Sequence, residues 1–216
     1  MSGRTTSGLA ALIALGFAGL APARAHAGEV LNFNLKGTSL AGNFGTTQSI
    51  PCGTGTSTQF TFVSFNAFEG VQRGGGAPTT TTNAGVFIQR NNNCTGDSTI
   101  DFAFVETGVS LTSSGLNSAT VSGTFPLVVS GGVLTLNMTL TATGNTSQGL
   151  NMSRSNVGPV FFMSRTNSAS TEANNLSGSV AINGQPIPLV NLSEVGGSFQ
   201  KNNTGQLLVI GARTHQ

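Results

Sequence analysis

The 216 residues carry 38% hydrophobic side chains but only 7% charged ones, with two cysteines and neither Trp nor Tyr. Disordered chains combine low hydrophobicity with high charge, so this balance argues for a packed, neutral-polar fold. The formal charge of +2 does not argue for nucleic acid or an anionic membrane, since such partners need clustered Lys and Arg.

In chain order the first element is a processing signal. Arg4 precedes the apolar run LAALIALGFAGL at 9–20, which has the length of a secretory h-region and is too short to span a bilayer. Ala25-His26-Ala27 then forms a small-x-small cleavage pattern. Residues 1–27 are therefore expected to leave as a signal peptide and 28–216 to form a single β domain. The mature protein is expected to be secreted, extracellular or periplasmic, without a transmembrane segment. Arg4, Arg24 and His26 leave with the signal. What remains is Lys36, Arg73, Arg90, Arg154, Arg165, Lys201 and Arg213 against Glu29, Glu69, Asp97, Asp101, Glu106, Glu172 and Glu194, a net charge of zero. No nucleic-acid partner is expected on that balance, and His215 is the last histidine left.

Strand-like alternation follows. Residues 29–35 alternate polar and apolar positions, and 58–68 place Phe60 and Phe62 on one face but Val63 and Phe65 on the other. That change of phase predicts a bulge or a crossing between sheets. Residues 73–83, RGGGAPTTTTN, read as a low-complexity loop. Ile100, Phe102 and Phe104 then line one side of a strand expected to enter the core. The cleanest alternation sets Leu134, Leu136, Met138 and Leu140 against Thr135, Asn137, Thr139 and Thr141, the pattern of one buried and one wet face. Further strands are expected at 119–129, 149–155, 160–166, 175–182 and 206–211. Turns are expected at Ser130-Gly131-Gly132, Val157-Gly158-Pro159, Asn183-Gly184 and Gly196-Gly197. Asn-Gly is a hairpin cue because both central residues of a type I′ turn need positive φ. The fold class is all-β, an antiparallel β-sandwich or alternatively a closed or partly open β-barrel. The missing Trp and Tyr argue against an outer-membrane barrel with aromatic girdles.

Cys52 and Cys94 are the only cysteine pair of an exported chain. Structural zinc takes four Cys or His ligands and no CxxC redox motif occurs, so a structural disulfide is expected. It would close a loop of about 43 residues and restrict the unfolded chain by about 4 kcal/mol. Asp97 and Asp101, with Asn91, Asn92 and Asn93 nearby, raise calcium, but no D-x-D repeat supplies the six to eight oxygens. No metal site is expected. Ser39 in GTSLA lacks the second glycine of a nucleophile elbow and a histidine beside it. Paired-carboxylate hydrolysis would draw on Glu69, Asp97, Asp101, Glu106 or Glu172, which spacing alone cannot pair. MSRSN at 152–156 and MSRTN at 163–167 nearly repeat across one expected hairpin. Their arginines, Arg154 and Arg165, could grip a carboxylate or phosphate, or serve only as solubilising edge charges.

Cys52 ahead of FTFVSFNAFEGVQ, then NNNCTG, LNSATV and MTLTATG, follow one another in an order that resembles a loose family of secreted bacterial β proteins. In that family the LTATG position usually carries a Trp that this chain lacks. The resemblance implies export, the cysteine pair and a β fold, and implies no activity, ligand or partner. Together these readings lead to an exported, non-catalytic surface, adhesion or binding module without a cofactor, whose partner would be extracellular or at the cell surface. The alternatives are a binder of small anions using Arg154 and Arg165, or a secreted carboxylate-pair hydrolase.

Overall fold

The computed structural model describes residues 29–74, 77–157 and 160–210. The expected signal peptide, Gly158-Pro159 and His215 lie outside the described residues. Ten strands follow in order: β1 (Glu29–Cys52), β2 (Gly55–Arg73), β3 (Thr79–Asn92), β4 (Asp97–Val105), β5 (Val109–Ser114), β6 (Ser118–Pro126), β7 (Val133–Val157), β8 (Val160–Ile182), β9 (Gln185–Pro186) and β10 (Ser193–Ile210). They form one antiparallel sheet in the order β4-β3-β2-β1-β10-β8-β7-β6-β5, with β9 beside β8 and no closure into a barrel. The all-β antiparallel expectation holds, as does the disulfide. Cys52 and Cys94 are bonded with their Cα atoms 5.6 Å apart.

The sheet curls until its two ends face each other, with β2, β3 and β4 lying against β5 and β6. The enclosed core takes Phe44 from β1, Val63 and Phe65 from β2, Val121 and Phe125 from β6, and Phe199 from β10. The alternating β7 row contributes Leu134, Leu136, Met138 and Leu140, all buried as expected. Asn183 and Gly184 have φ of 51° and 77°, the positive pair that the Asn-Gly hairpin requires.

Several expectations are corrected. β2 runs without a register shift against β1 and β3, so there is no bulge at Phe62-Val63. Thr61 takes the buried inward position, and the outward Phe60 ring covers Gly45 on β1. Aromatic cover over a neighbouring glycine satisfies the second apolar face without any change of phase. Thr79–Asn83, expected as loop, is strand paired with residues 68–72, a register that suits a β-branched run. Gly196-Gly197 lies within β10, and β5 was not expected at all.

Ile100, Phe102 and Phe104 face outward and are 48–61% exposed, whereas Ala103 on the opposite face of β4 is buried. The inner side of this strand presses against β6 and leaves room for a small side chain. Alternation locates two faces but does not say which one the fold will cover.

Asp101 also points inward, opposite Ile88, at the closure of the curled sheet. Its carboxylate accepts N–H bonds from Val129 (2.9 Å), Ser130 (3.0 Å) and Phe102 (2.9 Å), while the Val128 N–H donates to the Phe102 carbonyl at 2.9 Å. Partial burial by itself would raise the Asp101 pKa. The bonds from the Ser130 hydroxyl and these N–H groups outweigh it and hold the carboxyl below its ordinary value.

Candidate functional site

The long strands outrun the core. In β7 every residue from Gly144 to Val157 is exposed, in contrast to the buried row that precedes them. The boundary is an irregularity where Ala142 pairs Ala173 and pairing resumes at Thr146–Thr171. Beyond it β2, β1, β10, β8 and β7 continue as a five-strand extension whose inner face prolongs the face of the core.

Register defines that face as rungs running from β2 across to β7. The first, next to buried Leu40 and Phe199, is Glu69, Thr38, Lys201, Ala169 and Gln148. The second is Val71, Lys36, Asn203, Asn167 and Leu150, and the third is Arg73, Asn34, Gly205, Arg165 and Met152. A fourth carries Asn32, Leu207, Met163 and Arg154. The first two rungs line a groove of about 820 Å³, within the size range of small-molecule sites.

Side chains alternate between faces along a strand, so the register also sorts the charges. Lys36, Arg73, Arg154, Arg165 and Lys201 share the concave face with one acid, Glu69. The positions between the rungs on the convex face are Gly70 and Gln72, Phe33, Leu35 and Gly37, Asn202, Thr204 and Gln206, Ser164, Thr166 and Ser168, and Gly149, Asn151 and Ser153. None is charged. Of the six cations among the described residues only Arg90 is elsewhere, opposite Thr61 at the far end of the core. Lys36 and Lys201 are diagonal neighbours across β1 and β10, and Arg154 and Arg165 across β7 and β8. Diagonal positions lie about 7–8 Å apart, close enough for two long side chains to meet one anionic group.

The arginines flagged by the repeated MSR motif are thus brought onto one face, while the lysines nearest the groove carry no such motif. Arg154 lies over the Phe161 ring, 5.1 Å from its centroid, a cation–π arrangement that fixes its guanidinium. Arg165 is exposed. The signal for Lys36 and Lys201 is pairing of β1 with β10, strands far apart in the chain.

Of the remaining sequence candidates only Glu69 lies there. Ser39 lies on the convex face opposite Phe68. Asn92 accepts the Cys94 N–H at 2.9 Å, Asn93 donates to Thr58 at 2.7 Å, and Asp97 accepts from Thr95 at 2.6 Å. These side chains hold the β3–β4 turn beside the disulfide. Among the described residues no three His, Cys, Asp or Glu side chains group as a metal site. Glu69 is the one carboxylate lining the groove.

No family model and no curated protein matches this chain. Among solved structures it is similar to a Nitrosomonas europaea protein named for AttH, at 15% identity and a TM-score of 0.29 over 83% of this chain. The match spans 52% of that protein, about half its length. It is also similar to an acetoacetate decarboxylase-like enzyme from Sphingomonas wittichii, at 9% identity and a TM-score of 0.27, over 84% of this chain and 91% of that one.

Proposed function

We propose that the protein is an exported, non-catalytic bacterial binding module, of the secreted β family that its sequence resembles, and that it takes an anionic ligand on the concave extension. The observation that carries this reading is the sorting of charge, five cations and one acid on the concave face against none on the convex positions between them. A chain balanced overall presents a strongly basic surface at one place, the arrangement that draws and orients anions. The Cys52–Cys94 bond agrees with an oxidising compartment, extracellular or periplasmic. A groove with Glu69 as its only carboxylate offers no second carboxyl for paired acid–base hydrolysis, which favours binding over turnover.

Two measurements test this. Mass spectrometry of the exported protein is expected to begin at Gly28, and an intact Met1 would sink the export claim. The mature protein, although neutral, is expected to be retained on a cation-exchange surface at pH 7. Lys36→Gln with Lys201→Gln should lower the salt needed for elution, whereas Arg90→Gln should leave it unchanged. Passage without retention would refute the anion-binding face.

A further inference from the structure

We infer that the anion bound by the concave face is amphiphilic, a single acyl chain ending in a carboxylate or phosphate head. This rests on the anion-binding reading above and adds the chemical class of the ligand.

Apolar side chains interleave with the cations on this face. Leu150 and Met152 on β7 are 58% and 59% exposed. Met152 pairs Arg165, which sets Met163 diagonally beside it, and Met163 pairs Leu207. Leu150, Met152, Met163 and Leu207 therefore form a continuous strip across three strands. Solubility does not require it, because the convex positions of β7, β8 and β10 in the same rungs are Ser, Thr, Asn, Gln and Gly. The strip is exposed at Leu150 and Met152 and half-buried at Met163 and Leu207. Within these rungs of β7, β8 and β10 it lies only on the charged face, which suits a ligand with an apolar part.

Beside the strip the face is low enough for a chain. Gly205 sits in the middle of the third rung, and a Cβ placed on it would meet no atom within 4 Å. Thr38 and Ala169 keep the first rung low. From Lys201 to Leu207 the trough runs about 20 Å at the rise of an extended strand, enough for an extended acyl chain. Lys36 and Lys201 stand at its inner end, where the walls of the core begin, and suit one head group.

Other anions fit less well. A nucleic acid would need stacking platforms along its path, and the one aromatic ring described on this face, Phe161, is already covered by Arg154. A uniformly charged polymer gains nothing from the apolar strip. A bilayer surface needs a flat or convex face, whereas this one is a trough.

The test is calorimetric titration of the disulfide-intact mature protein with dodecanoate and dodecyl phosphate below their micelle concentrations. Dodecyl maltoside, acetate, inorganic phosphate and dextran sulfate are the comparison ligands. At least one of the two anionic amphiphiles is expected to bind one-to-one, at least tenfold more tightly than dodecyl maltoside and either short anion. Lys36→Gln with Lys201→Gln should weaken it tenfold or more. Gly205→Phe should abolish it by filling the trough, while retention on the cation exchanger persists and the far-UV spectrum and urea midpoint confirm folding. Equal affinity for the neutral amphiphile, or binding of dextran sulfate without either anionic amphiphile, overturns the amphiphile proposal and leaves the basic-face reading to its own test. Absence of any binding, together with passage through the exchanger, overturns both.

Discussion

One strand, β7, passes through two environments. Its first half buries Leu134, Leu136, Met138 and Leu140 between facing parts of the sheet, while its second half exposes every side chain in a single layer. The first half is held by burial on one face and by the Asp101 clamp on Val129 and Ser130 just before it, and the second by backbone pairing and shallow cross-strand contacts. The curled core supplies stability, while the thin extension leaves its concave face open. Apolar contact therefore serves folding at Leu136, whereas Leu150 stays open to solvent and, on the reading proposed above, to the ligand.

The contrast can be broken by experiment. Reducing Cys52–Cys94 should cost the most, about 4 kcal/mol of unfolding free energy in the chain-entropy account, read from urea midpoints with and without reductant. An unchanged midpoint would show that the bond fastens nothing. Leu136→Ala in the core half should cost about 3 kcal/mol through lost burial and a residual cavity.

Asp101→Asn should cost about 1–2 kcal/mol, toward the lower end because water reaches the carboxylate. The same group predicts a pH dependence. Its folded-state pKa is lowered, so its contribution is complete above the unfolded value of about 3.9 and is lost as pH falls through the lowered folded value. Acid titration of the Asn variant should lack that part of the loss; identical acid limbs would remove Asp101 from the closure. The smallest effect belongs to the extension. Leu150→Ala, or Arg154→Gln with Arg165→Gln, should shift stability by no more than about 0.5 kcal/mol. A large loss would mean that the extension is part of the folding core.

Much of the architecture was legible where local chemistry decides it. Asn183-Gly184 declared a hairpin through its φ requirement, and Leu134 to Leu140 declared a half-buried strand through strict alternation. Reading failed where two faces were both apolar. At Phe60 to Phe65 a change of phase looked like a bulge because Gly45, the glycine under the outer Phe60 ring, lies on another strand. At Ile100 to Phe104 the most apolar face proved to be the outer one. Of the site, Arg154 and Arg165 could be picked out because a motif repeats within one hairpin. Lys36 and Lys201, 165 positions apart, could not.

The sequence by itself determined the strand chemistry, the cysteine pair available for bonding and the scarcity of charged side chains, because alternation, turn residues and composition act locally. Only the tertiary structure decided which face is inward and which charges become neighbours. Those depend on the β1–β10 register and on the curl that Asp101 fastens, contacts made between segments with no local signal for each other.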